Sequence, residues 1–169
     1  MTPAERWVED VARVTRPDRV VWCDGSEAEN VRLLEGMLAD GTLLRLHPEK
    51  APGCTLHRSH PSDVARTEHL TFIASRARDD AGPTNNWMSP AEARKRVWPL
   101  FESVMKGRTM YVVPYVMGPL GSPFRKIGLE VTDSPYVVAS MRIMTRMGRP
   151  ALEELGGSEG EEEGKSRAE

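Results

Sequence analysis

The chain has 169 residues and a formal net charge of −2, from 23 Lys and Arg against 25 Asp and Glu. Near-neutral charge without a long basic stripe argues against nucleic acid as a main partner, and no run approaches the roughly 18 consecutive apolar residues that a membrane-spanning helix needs. Two cysteines, Cys23 and Cys54, with no CxxC pair, suggest neither a disulfide framework nor a zinc site, and both are expected as buried or half-buried thiols.

Residues Met1 to Asp10 are polar and acidic, unlike a signal peptide, so a cytoplasmic location is expected. Val20, Val21 and Trp22 form a β-prone run that ends at the turn signal Asp24-Gly25. A helix is predicted next: Ser26 is its N-cap, Glu29 completes a capping box, and Val31, Leu33, Leu34, Met37 and Leu38 recur at helical spacing before Gly41. Leu43 to Leu46 reads as a returning strand, and His47 to Pro61 as a Pro-, Gly- and His-rich connection. The hexapeptide Asp63-Val-Ala-Arg-Thr-Glu68 then precedes the apolar run Leu70 to Ala74, a strand, and Asp79 to Asn86 reads as a loop. Ser89, Pro90 and Glu92 open another helix as N-cap, first helical residue and capping-box partner, which Pro99 breaks or kinks. Thr109 to Met117 and Ile127 to Val131 are strands separated by Gly118-Pro119 and Gly121-Ser122-Pro123. Tyr136 to Met147 reads as a helix, finished by Gly148 and Pro150. Both element types alternate without a strict period, which predicts an α/β fold with a mixed sheet and flanking helices.

Beyond Leu155 the composition turns to Gly, Ser and Glu with no apolar residue larger than Ala168. Such a segment buries too little surface to offset its ordering entropy, so residues 156–169 are expected as a disordered acidic tail behind a folded unit of residues 1–155. The tail's Gly164-Lys165-Ser166 matches only the end of a phosphate-loop pattern: Glu159 stands where its first glycine belongs, and three glutamates precede it. His47, His57, His60 and His69 fit no metal-ligand spacing and read as surface or loop residues. Asp24, Glu27, Glu29 and Glu35 read as turn, dipole and solvent-facing helix charges.

Arg66 stands beside a strand, between Ala65 and Thr67-Glu68. Its planar guanidinium offers bidentate recognition of a carboxylate or phosphate, but by composition alone a surface ion pair with Asp63 or Glu68 is the favoured reading.

Six segments occur in an order that belongs to one family. They are Cys23-Asp-Gly-Ser-Glu-Ala-Glu-Asn30, Asp63-Val-Ala-Arg-Thr-Glu68, Asn86-Trp-Met-Ser-Pro90, Gly107-Arg-Thr-Met-Tyr-Val112, Met117-Gly-Pro-Leu-Gly-Ser-Pro123 and Tyr136-Val-Val-Ala-Ser-Met-Arg-Ile-Met-Thr-Arg146. Across roughly residues 5–150 they resemble the N-terminal region of GTP-dependent phosphoenolpyruvate carboxykinases. The resemblance implies a truncated N-terminal, substrate-side domain of the phosphoenolpyruvate carboxykinase fold. It implies a gluconeogenic lyase reaction, in which oxaloacetate is decarboxylated to an enolate that takes the γ-phosphoryl group of GTP to give phosphoenolpyruvate and CO2. A manganese or magnesium ion would stabilise the developing charge. Arg66 matches the family's catalytic and substrate-binding arginine, and Glu68 the acidic residue that supports a closing lid. The metal ligands, the GTP site and the lid itself lie further along in the family than this sequence runs, so no metal ligand is expected here and the chain alone is expected to be inactive. Oxaloacetate or phosphoenolpyruvate and a separate C-terminal half are the partners implied. The alternative is a non-catalytic anion- or partner-binding module that complements such a half.

Overall fold

A computed structural model of the chain describes residues 1–61 and 67–156. In chain order the elements are α1 (Pro3–Thr15), β1 (Arg19–Trp22), α2 (Glu27–Ala39), β2 (Leu43–Arg45), β3 (Thr55–His57), β4 (Phe72–Ala74), β5 (Asn86–Met88), α3 (Pro90–Val97), β6 (Thr109–Met117), β7 (Lys126–Thr132), α4 (Pro135–Met144) and β8 (Arg146–Met147). Short 3-10 turns occupy Glu68–Leu70, Arg78–Ala81 and Trp98–Phe101, and residues 149–156 are helical.

The fold is built on β6. On one side it pairs with β7 antiparallel, and on the other first with β1 in parallel, Arg19 opposite Thr109, and then with β8 antiparallel, Tyr115 opposite Met147. Side chains alternate across a strand. Met110 and Val112 accordingly meet Val8 of α1 and Met105 on one face, while Val113 meets Cys23, Leu33, Met37, Leu43 and Val138 on the other. The mixed α/β sheet with helices on both faces is the expected class.

Pro114 sits inside this central strand, a position that costs a ladder hydrogen bond unless no donor is needed there. The Val112 carbonyl accepts from Cys23 N–H and the Pro114 carbonyl from Gly148 N–H, so Pro114 faces the gap where β1 has ended and β8 has not begun. Its ring nitrogen points the same way as its carbonyl, toward that gap. The same junction brings two loops into backbone contact. Gly148 has φ +86°, and a Cβ there would lie 2.1 Å from the Asp24 carbonyl oxygen.

Several local expectations are corrected. Helix α1 is not among the predicted elements, although its start carries a full signal: the Thr2 hydroxyl accepts from Glu5 N–H, the Glu5 carboxylate accepts from Thr2 N–H, and Pro3 is the first helical residue. The helix expected to run to Met147 ends at Met144, because β6 captures Arg146 and Met147 as a strand. Pro150 then lies in the first turn of the next helix, where proline is tolerated, instead of marking an end. The connection from His47 to Pro61 contains β3, which pairs with β2, and the loop over Asp79 to Asn86 ends by entering β5. Pro99 does end α3, with a 3-10 turn taking over at Trp98. Cys23 is buried as expected, but Cys54 is exposed.

Candidate functional site

The segment from which Arg66 and Glu68 come lies at the head of a small parallel pair. β4 and β5 align Phe72 with Asn86 and Ala74 with Met88, and the 3-10 turn Glu68–Leu70 leads directly into β4. Arg66 itself, with Asp63, Val64 and Ala65, lies outside the described residues. Glu68 is described and exposed.

The backbone after Arg66 is held by hydrogen bonds to the Thr67 and Glu68 carbonyls. The Thr67 carbonyl accepts from Leu70 N–H at 3.0 Å and from the Thr71 hydroxyl at 2.9 Å. The Glu68 carbonyl accepts from Thr71 N–H at 3.2 Å and from the Asn86 side-chain amide at 2.8 Å. The same Asn86 amide also donates to the Thr71 carbonyl at 3.1 Å. Asn86 thus clamps both ends of the turn with one group, and the Glu68 side chain is exposed. Next along β5, the Trp87 indole N–H donates to the Ser75 hydroxyl at 3.0 Å and tethers the far end of β4. On α3 the Arg96 guanidinium lies over the Phe72 ring, 5.6 Å from its centre. Strand, turn and helix therefore form one unit that presents Glu68 on a fixed backbone. Asn86 falls within a segment singled out in the sequence, but its clamp on a residue 18 positions earlier has no sequence signal, since it exists only through the parallel pairing.

A second polar cluster joins the start of α2 to the end of α4. Ser26 caps α2 by accepting from Glu29 N–H at 3.1 Å, but Glu29 does not return the bond to the cap residue. Its carboxylate reaches back to accept from Gly25 N–H at 2.9 Å and Asp24 N–H at 3.3 Å. It is only 5% exposed, which corrects its reading as a solvent-facing charge. Bonds from Ser26, hydroxyl first and backbone N–H second, hold the Asp24 carboxyl below the usual carboxylate range. Across the loop, Arg142 donates to the Gly25 and Ser26 carbonyls and pairs with Glu27 at 2.6 Å. The Asp24 carbonyl also accepts from Arg149 N–H at 3.2 Å, so the arrangement locks the start of α2 to α4 and to the residues that follow β8.

His57 donates from its Nδ1–H to the Thr42 carbonyl, 2.9 Å away, and stacks on Tyr136 with ring centres 4.0 Å apart. It is a packing residue of β3. Among the described residues no group of three or more His, Cys, Asp or Glu is placed to hold a metal ion, and no helix is long and apolar enough to cross a membrane.

Comparison with known proteins adds an independent line. Residues 6–164 match the family model described as the phosphoenolpyruvate carboxykinase N-terminal domain. The chain is 57% identical over 152 residues to the phosphoenolpyruvate carboxykinase (GTP) of Anaeromyxobacter dehalogenans, covering 90% of this chain and 26% of that relative. It is 54% identical over 150 residues to the enzyme of the same name from Chlamydia trachomatis, covering 89% of this chain and 25% of the relative. For the Corynebacterium jeikeium enzyme the identity is 53% over 150 residues, with the same coverages of 89% and 25%. The chain spans about a quarter of the length of the curated relatives it matches.

Proposed function

The chain belongs to the phosphoenolpyruvate carboxykinase family through its N-terminal domain, and from that premise we propose that it supplies the substrate-side part of a GTP-dependent conversion of oxaloacetate to phosphoenolpyruvate, GDP and CO2. The observation that carries the reading is the match over residues 6–164, which includes both Arg66 and Glu68 at more than half identity to enzymes of that name. Arg66 is the residue that meets the substrate's anionic groups, since a guanidinium binds a carboxylate or phosphoryl group through two parallel bonds. Glu68 supports a closing lid contributed by the rest of the family's polypeptide. The clamp by Asn86 on the Glu68 carbonyl supports this reading, because a group that must meet substrate or lid benefits from a backbone that does not shift.

Among the described residues no group fits the divalent ion that the family's chemistry implies, and in this reading manganese or magnesium, with GTP, is held by the rest of the family's polypeptide. Alone, the chain is inactive in this reading, because no metal-binding group among its described residues can neutralise the charge that develops on the enolate and the phosphoryl group.

The test joins this chain covalently to the C-terminal three-quarters of the Anaeromyxobacter dehalogenans relative. The fusion is expected to turn over oxaloacetate with GTP, and the unfused chain is expected to show no turnover above a metal-only blank. In the fusion, Arg66→Ala should weaken turnover by about 2–4 kcal/mol, the scale of a lost charge-assisted contact in a desolvated site, with the melting temperature unchanged. Arg66→Lys should recover part of the loss, since it keeps the charge without the fork geometry. Wild-type kinetics in the Arg66→Ala fusion would overturn the assignment, and an unfolded variant would return Arg66 to a structural ion pair.

A further inference from the structure

Asn86 opens β5 and is paired in register with Phe72, which opens β4. Parallel alignment therefore places its side chain beside the residues that enter β4. The Asn86 amide uses that place to donate to two carbonyls, Glu68 at 2.8 Å and Thr71 at 3.1 Å. One is the first residue of the 3-10 turn and the other the residue that follows it. A side-chain amide nitrogen carries two N–H donors, which is what two neighbouring carbonyls require. Serine has one donor and aspartate none, so neither can replace it.

The clamp does little for the core. Neither Asn86 nor any residue from Thr67 to Thr71 is buried, and bonds between exposed groups replace bonds to water with a small net gain. What the clamp fixes is the direction of the backbone from which the Glu68 side chain leaves. Within the turn, Leu70 N–H donates to the Thr67 carbonyl and Thr71 N–H to the Glu68 carbonyl. A single 3-10 turn has poor hydrogen-bond geometry and gains definition from an outside anchor. Trp87 ties the far end of β4 at Ser75, so two adjacent residues of β5 hold β4 at both of its ends.

We infer that Asn86 is a positioning residue: its amide sets where the Glu68 carboxylate stands and acts on the reaction through Glu68. The inference rests on the family reading above, in which Glu68 supports a closing lid, and adds the residue that makes this support depend on the β4–β5 register. A group that must meet a moving partner works best when its own backbone is already fixed, because less freedom is lost at each closure.

Two experiments test it. In the full unfused chain, Asn86→Ala and Asn86→Asp should speed amide hydrogen exchange at Leu70 and Thr71 about tenfold, while the melting temperature stays within about 2 °C of wild type. In the covalent fusion, Asn86→Ala should lower kcat about tenfold and change KM for oxaloacetate less than about twofold, as expected when a lid closes less often over bound substrate. The decisive measurement is a double-mutant cycle with Glu68→Ala. An effect transmitted through Glu68 vanishes once Glu68 is gone, so the double variant should match Glu68→Ala alone within about twofold. Asn86→Gln, which keeps both donors on a longer arm, should regain part of the rate. Unchanged exchange in the unfused chain, losses that multiply in the cycle, or a loss of rate that tracks a lowered melting temperature would each overturn the inference. Wild-type kinetics in the Glu68→Ala fusion would do the same, since Asn86 would then have nothing to position. An inactive wild-type fusion sinks the reaction and the positioning role with it, whereas an active fusion that is impaired by Arg66→Ala and not by Asn86→Ala sinks the positioning role alone.

Discussion

Cys23 is 1% exposed between α2 and β6, and burial first and the Glu29 carboxylate second push its thiol up from an ordinary 9.0 to about 12. In the unfolded chain the thiol loses its proton near the ordinary value, whereas the folded chain keeps it. Its contribution to stability is therefore complete below about pH 9 and is lost as pH rises toward about 12, at up to about 1.4 kcal/mol per pH unit. Urea unfolding at about pH 8 and about pH 10 should show a smaller alkaline loss in Cys23→Ala than in wild type, and equal losses would mean that the thiol is not held protonated. A thiol reagent at neutral pH should label Cys54 in the native chain and both cysteines only in denaturant. Neither difference between the two cysteines was legible in the sequence, because each stands beside turn residues and only the tertiary packing buries one. Glu29 shows the same limit. Its spacing from Ser26 identified a cap correctly, but which N–H groups its carboxylate would serve depended on how the Asp24-Gly25 loop folds back. Arg66 and Glu68 gained a role from resemblance, since their residue types alone favour an ordinary ion pair.

At the scale of elements, α2, α3 and the long strand β6 were legible, whereas the 13-residue α1 and several of the shortest strands were not. β6 was expected at Thr109 to Met117 and occupies that span, because nine β-prone residues with turn chemistry after them have no competing reading. α2 and α3 were likewise marked by Ser26, Ser89 and Pro90. β3, β5 and β8 have three residues or fewer, too short to display a period, and each exists through its partner. β8 in particular takes Arg146 and Met147 from the end of a helical pattern because β6 offers an open edge at Tyr115 and Val116. That capture depends on Gly148, whose backbone passes so close to the Asp24 carbonyl that no side chain fits and whose φ of +86° disfavours one in any case. Gly148→Ala should therefore lower stability by about 2 kcal/mol or more, measured by chemical denaturation. A change below about 0.5 kcal/mol would show that the two loops separate without cost.

For the molecule as a whole, family and α/β class were legible from six segments spread along the chain, and the structure explains why those segments recur together. Cys23 to Asn30 is locked to Arg142 of α4, and Asn86 clamps Glu68, so motifs far apart in sequence are contact partners. The exposure of Trp98 and Leu100 after α3 was not legible, since they read as helix and turn residues until their surroundings are known. One topological fact also bears on how the chain comes into being. Both hydrophobic clusters are completed by β6, through Met110 and Val112 in one and Val113 in the other, and β1 pairs with β6 across 90 positions, Arg19 with Thr109. A ribosome emits α1, β1 and α2 long before their common partner, so these elements lack the central sheet until residue 109 and beyond emerge. Truncation after Arg108 should leave a product cleaved rapidly by a nonspecific protease under conditions in which residues 1–156 resist, and a resistant 1–108 fragment would show that the helices settle without β6. Order of synthesis thus leaves Trp22 and Val8 without their packing partners Met110 and Val112 for that interval of translation.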